Sequence, residues 1–243
     1  MMRSPMLGEF MGTMMMILLG DGVVAGVLLK KSKAENGGWM MITTAWAFAV
    51  LCGIFTAILF GSPDGHLNPA ITLAFAIDTG NFAKLLPYAI AQLSGGFVGA
   101  VLVWLFYKPH WQITEDADSK RGVFCTAPAI RSYGWNLLCE ALATFVLVIV
   151  AGAMTSKLVL SNGAVAGLSP YLVSCLVWGI GLSLGGTTGY AINPARDFGP
   201  RVAHFLLPIP GKADSDWPYA WVPILGPIIG ASLAGFVLHL IGA

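Results

Sequence analysis

The stretch Gly65-His66-Leu67-Asn68-Pro69-Ala70 is answered near the other end of the chain by Tyr190-Ala191-Ile192-Asn193-Pro194-Ala195-Arg196-Asp197. Each copy holds an Asn-Pro-Ala triplet behind a lead-in that contains a glycine, Gly65 in one and Gly189 in the other. Asn is favoured as a helix N-cap and Pro at the first helical position, so each triplet reads as a helix start. The apolar runs behind them, residues 71–77 and 198–207, make only about two to three turns at 3.6 residues per turn. Crossing a membrane takes about 20 apolar residues, so neither run spans a bilayer. Two short helices that begin alike, one in each half, predict half-helices that enter from opposite faces and meet.

The membrane itself follows from composition. Of 243 residues, 56% are hydrophobic and 10% charged, where soluble domains carry about 25% charged residues. The charges gather between apolar segments, as in a polytopic integral membrane protein. A formal net charge of +1 gives no reason to expect a nucleic-acid partner or an acidic substrate. Cys52, Cys125, Cys139 and Cys175 lack metal-type spacing, and three of them lie in apolar runs. They read as small buried hydrophobes, and no disulfide pairing, metal or cofactor is expected. Arg3 followed by an apolar run resembles a signal peptide, but Glu9 interrupts it, so it reads as a retained first span.

Six apolar segments have membrane length, at about 6–29, 39–60, 84–106, 135–155, 170–187 and 218–241. The halves repeat each other: Glu9-Phe10-Met11-Gly12-Thr13 in the first span corresponds to Glu140-Ala141-Leu142-Ala143-Thr144 in the fourth. Each half is span, span, short helix, span, an odd number of crossings, so the second copy is inverted. The expected fold is therefore an all-α membrane protein with six transmembrane helices and two re-entrant half-helices. One channel domain covers 1–243, with a first repeat at about 1–110 and a second at about 135–243. The 107–134 link reads as a surface loop. Glycines inside the spans, Gly95, Gly96 and Gly99, then Gly226 and Gly230, allow close helix approach. Basic residues do not orient the chain: Lys30, Lys31 and Lys33 flank one side, and Arg3, Lys84 and Lys157 the other.

Irregular backbone at membrane depth is tolerated where it is buried in protein or lines a wet cavity. The carbonyls of Gly65, His66, Leu67, Gly189, Ala191 and Ile192 would form a ladder of acceptors, and Asn68 and Asn193 would supply N–H donors. The half-helices aim the positive ends of their dipoles, about +0.5 charge each, at the meeting point. Such a midpoint suits a neutral hydrogen-bonding solute and repels cations and protons.

These paired boxes, with Glu9 and Glu140 at matching places and His66 before the first box, resemble the aquaporin family, and the resemblance covers essentially the whole chain. Asp197 after Arg196, then Phe198-Gly199-Pro200-Arg201, and Pro223-Ile224 in the last span, look like its glycerol-facilitator (aquaglyceroporin) branch. The resemblance implies a passive homotetrameric channel with one pore per subunit. Its solutes would be glycerol, water and other small neutral molecules such as urea and dihydroxyacetone. It also implies a bacterial-type plasma membrane location with both termini cytoplasmic, against the simple basic-residue count. By position, the selectivity constriction would comprise Trp46, Gly181, Tyr190 and Arg196. Rigid counting from Asn68 gives Phe48 in place of Trp46; Trp46 is preferred because Ser62-Pro63-Asp64 lengthens the loop by about two residues. Gly181 would leave a gap for a carbon skeleton, Trp46 and Tyr190 an apolar corner, and Arg196 hydrogen-bond donors. Many facilitators have Phe where Tyr190 stands, and its added hydroxyl opens the alternative of undissociated lactic acid as the main solute.

Glu9, Glu140 and Asp197 are expected as structural supports, the two glutamates accepting backbone N–H bonds from the lead-in loops, and His66 as a hydrogen-bonded support. A proton-coupled transporter using Glu9 or Glu140 is the competing reading. No metal-ligand set or nucleophile arrangement points to an enzyme. Asp21, near the end of the first span, is expected to face an aqueous vestibule. Trp39, Trp217, Tyr219 and Trp221 read as interfacial anchors.

Overall fold

The computed structural model describes residues 3–156, 159, 165 and 167–242. The first half holds α1 (Pro5–Leu28), α2 (Gly38–Phe60), the short α3 (Pro69–Thr79) and α4 (Leu85–Phe106). The link carries α5 (Lys108–Ile113) and α6 (Ala117–Gly122). The second half follows with α7 (Tyr133–Thr155), α8 (Leu168–Ser183), the short α9 (Pro194–Leu206) and α10 (Val222–Ile241). A 3₁₀ turn at Trp217–Tyr219 leads into α10, and no strand occurs among the described residues.

The packing repeats with the sequence. In the first half α1 lies against α2 and α4; in the second, α7 lies against α8 and α10. The halves interlock through their short helices, α3 packing on α10 and α9 on α4, while α2 meets α8. Small residues permit this closeness at equivalent places. A Cβ at Gly95 on α4 would stand 2.3 Å from the Phe10 carbonyl oxygen, and one at Gly230 on α10 would stand 2.0 Å from that of Ala141. Phe10 and Ala141 each follow the repeated glutamate. In lipid, where apolar surface alone does not drive helices together, such backbone contact is what holds them.

Among the described residues five helices, α1, α2, α4, α7 and α10 with its leading turn, are long and apolar enough to cross a membrane. The fifth predicted segment is shorter than expected. The helix α8 has 16 residues, about 24 Å at 1.5 Å per residue, and ends at Ser183 rather than 187. Glycine permits the turn that follows: Gly185 lies close against the Gly181 carbonyl, where a Cβ would come within 2.5 Å. Most of the connection before α8, including Lys157 from the charge count, lies outside the described residues.

The link is not only a surface loop. Trp111, Val123, Phe124 and Cys125 are buried in it, and Trp111 stacks on Phe124 at 5.6 Å. The segment thus joins the core instead of bridging over it. Tyr219 is likewise buried rather than interfacial, whereas Trp39, Trp217 and Trp221 are partly exposed as expected of anchors.

Candidate functional site: a pore between two capped half-helices

Each box caps its own helix. The Asn68 side-chain oxygen accepts from the Ala70 amide at 2.9 Å, and that of Asn193 accepts from the amides of Ala195 at 2.9 Å and Arg196 at 3.3 Å. The two amide nitrogens cross over. Asn68 Nδ2 donates to the Ile192 carbonyl at 2.8 Å, and Asn193 Nδ2 to the Leu67 carbonyl at 2.8 Å. The helix starts therefore meet nose to nose. A carboxamide nitrogen has two hydrogens, so each Asn keeps one for a solute.

The crossing corrects one feature of the expected ladder. The Leu67 and Ile192 carbonyls already accept from an asparagine, so each offers one remaining lone pair, while those of Gly65, His66, Gly189 and Ala191 accept no such bond from the described residues. The lead-ins owe their shape to left-handed residues: φ is 55° at Gly65, 54° at Leu67, 79° at Gly189, 37° at Tyr190 and 43° at Ile192. For a β-branched residue such as Ile192 that conformation is a steric outlier and needs outside support.

Glu9 and Glu140 supply it. The carboxylate of Glu9 accepts from the amides of His66 (2.9 Å) and Leu67 (2.7 Å), from the Ser62 hydroxyl (2.6 Å) and from Gln92 Nε2 (2.8 Å). Glu140 accepts from the amides of Ala191 (2.9 Å) and Ile192 (2.8 Å). With the N–H groups held from behind, the carbonyls turn the other way. Gln92, a single amide in an apolar span, was not singled out from sequence, although its isolation there was a signal. His66 Nδ1 lies 3.1 Å from the Thr72 hydroxyl and its ring stacks on Phe75.

A cavity of about 790 Å³ threads this arrangement. Asp64, Thr79 and Lys84 line one end, Asn68 and Asn193 the middle, and Trp46, Tyr190 and Arg196 the other end. Val50, Ile54, Leu147 and Val177 add apolar side chains to its lining, beside the lead-in residues Gly65, His66, Leu67, Ala191 and Ile192. At the first mouth, Asp64 is bonded to Lys84 Nζ at 2.7 Å and to the Tyr88 hydroxyl at 2.6 Å.

At the far end the Arg196 guanidinium sits 4.3 Å from the centre of the Trp46 ring, a cation–π contact worth about 2 kcal/mol when desolvated. Trp46 is 4% exposed, whereas Phe48 is 56% exposed on the outer surface. Gly20 lets the indole lie flat, since a Cβ there would come within 2.5 Å of it.

Gly181 acts differently from the expected gap. It does not line the cavity; a Cβ on it would meet the Tyr190 ring at 2.9 Å and the Tyr190 hydroxyl at 3.0 Å. The tyrosine ring packs into the space that Gly181 leaves while still lining the cavity. Trp39 backs it edge-on, with ring centres 5.7 Å apart, while donating Nε1 to the Gly181 carbonyl at 3.0 Å. The Tyr190 hydroxyl is buried with no hydrogen-bond partner, so it faces protein and not the passage.

Asp21 corrects the vestibule expectation. It is fully buried, with one carboxyl oxygen 3.6 Å from Arg196 Nη1. Asp197 instead builds a closed clamp. It accepts from the Thr126 amide at 2.8 Å and from Arg201 Nε and Nη2 at 2.8 and 2.7 Å, while Arg201 also reaches the carbonyls of Thr126 and Ser215. The buried link and α9 are joined through this pair.

Two capped helix starts meeting inside a bundle of apolar helices, beside a cavity lined by both polar and apolar residues, define an integral membrane pore. The chain belongs to the major intrinsic protein family, whose model matches residues 2–238. It is 56% identical to a probable glycerol uptake facilitator protein of Thermotoga maritima, over 95% of this chain and 96% of that one. It is 52% identical to glycerol uptake facilitator protein 3 of Lactiplantibacillus plantarum, over 99% of this chain and all of the other. A D/L-lactic acid transporter of the same bacterium is 40% identical over 98% of both chains. Among solved structures, the aquaglyceroporin from Plasmodium falciparum is similar with a TM-score of 0.84 at 25% identity, over 98% of this chain and 96% of that chain.

Proposed function

We propose that this chain is a passive channel for glycerol and similarly small uncharged solutes, together with water, and that Trp46, Tyr190 and Arg196 form its constriction. The observation that carries the reading is the cavity beside the paired Asn68 and Asn193 caps, lined both by apolar side chains such as Val50, Ile54 and Val177 and by the lead-in residues that carry backbone acceptors. A polyol, with carbons on one edge and hydroxyls on the other, matches such a lining. The facilitator names of the Thermotoga maritima and Lactiplantibacillus plantarum relatives described above support glycerol; urea and dihydroxyacetone fit the same lining.

Residues 1–243 act as one channel domain of two inverted repeats, with the Asn-Pro-Ala boxes at its midpoint and Glu9, Glu140 and Asp197 as supports. Each subunit of a homotetramer carries its own pore, in a bacterial plasma membrane with both termini cytoplasmic. The exposed apolar faces of the spans, Phe55, Leu59 and Phe106 among them, suit lipid and neighbouring subunits.

Undissociated lactic acid as the main solute has less support, because the Tyr190 hydroxyl that favoured it is turned into protein. The test is one swelling assay on one liposome preparation comparing water, glycerol, urea and lactic acid. Glycerol permeation well above empty liposomes is expected. Any lactic acid flux should fall as pH rises through the acid's own titration, since only the neutral form passes. Accumulation of solute against its gradient, driven by a pH difference without membrane voltage, would sink the channel reading in favour of coupled transport.

A further inference from the structure

Two buried acid–arginine pairs lie side by side, and they are built differently. Asp197 and Arg201 are tied together and to backbone by a full set of hydrogen bonds, as a structural pair requires. Asp21 and Arg196 are not. Their nearest atoms stand 3.6 Å apart, beyond hydrogen-bond length. Both carboxyl oxygens of Asp21 and Arg196 Nη1 have no hydrogen-bond partner among the described residues. A buried carboxyl without donors is costly, and fold stability gives no reason to keep one.

The position supplies the reason. Arg196 is the charged side chain of the narrow end, its side chain 12% exposed and lining the cavity, with Asp21 fully buried immediately behind it. The other charges nearby are already engaged: Arg201 neutralises Asp197, and Glu9 and Glu140 accept backbone amides. An uncompensated guanidinium beside two positive helix ends would be a site where small anions lodge. We infer that Asp21 is a specificity-determining residue of the pore: it is the resident countercharge of Arg196, making the constriction a neutral pair that excludes anions while leaving the guanidinium unbonded for a passing hydroxyl. This rests on the channel reading above. It adds that the arginine's charge is offset where it stands, so that removing Arg196 alone would leave the Asp21 charge uncompensated beside the passage.

The test is a charge cycle in liposomes, with glycerol flux and ion leak measured on the same samples. Wild type should pass glycerol and leak neither chloride nor potassium; failure of wild type to pass glycerol strikes the channel reading, not this one. Asp21→Asn should raise chloride leak at least about tenfold, a small share of what a bare charge exerts at ~4 Å in a partly desolvated site, and chloride should then inhibit glycerol flux. Asp21→Glu, which keeps the charge, should leak less chloride than Asp21→Asn. Arg196→Gln should leak cations, and Arg196→Gln combined with Asp21→Asn should lose most of that leak. A chloride leak in Asp21→Asn equal to wild type, or a cation leak in Arg196→Gln that is indifferent to Asp21, would overturn the inference. If Asp21→Asn and Asp21→Ser both fail to assemble, Asp21 is structural and the inference falls with them.

Discussion

Replacing Gly181 by alanine tests the proposed constriction most directly. The new Cβ would stand 2.9 Å from Tyr190 Cζ, 3.0 Å from its hydroxyl and 3.0 Å from Thr43 Cγ2. Carbon atoms in ordinary contact keep about 3.5–4.0 Å, so the tyrosine ring must retreat by roughly 0.6–1 Å. It cannot slide towards the turn after α8, because its Cδ1 already lies over Gly185, where a Cβ would come within 2.5 Å. Trp39 closes the flank. The free direction is the passage. Overpacking of this kind costs about 1–3 kcal/mol, and a glycerol molecule that must push the ring back meets that strain as added barrier. At tenfold per about 1.36 kcal/mol, glycerol flux should fall by about fivefold to about a hundredfold. Water, which needs less width, should lose far less. Stopped-flow swelling with glycerol and with an impermeant osmolyte gives both rates, normalised to reconstituted protein. Unchanged glycerol flux would refute the placement of Tyr190 at the limiting width, and an equal loss of both fluxes would point to damage of the fold.

Three other outcomes are expected. Trp46→Ala should let polyols larger than glycerol pass, while Phe48→Ala, on the outer surface, should leave the solute ranking unchanged; the swelling series over polyols of increasing size separates them. Tyr190→Phe removes a buried hydroxyl without a partner, a group that costs about 1–3 kcal/mol when left unsatisfied. It should raise the melting temperature and leave the ratio of glycerol to lactic acid flux as it was, and a selective drop in lactic acid flux would show that the hydroxyl reaches the solute. Asp197→Asn leaves Arg201 buried without its carboxylate, a loss of about 3–5 kcal/mol, seen as a lower melting temperature in detergent while the surviving channels keep the wild-type solute ranking.

Much of the architecture was readable before any coordinates. Asn68-Pro69 and Asn193-Pro194 announce helix starts through local backbone chemistry, and the length of the apolar runs tells a spanning helix from a half-helix. The repeated glutamates marked the inversion because they recur at the same place in each half. Gly95 and Gly230 were visible as small residues, though not the carbonyls they meet. The link reads as surface because its buried residues lie in segments too short for a periodic apolar face to show burial, Trp111 in the six-residue α5 and Phe124 just after the six-residue α6.

The narrow end is another matter. Asp21 and Arg196 are 175 positions apart, on helices of different halves, and nothing in the neighbourhood of either names the other. Gly181 reads in the chain as an empty place, but in the folded molecule it is occupied by the ring of Tyr190. Local signals, capping preference, Pro geometry and apolar length, act between residues a few bonds apart, so the order of residues suffices to state them. Which carboxyl faces which guanidinium, and which side chain fills which hole, depends on helices meeting through space, and that is decided only when the two halves close on each other.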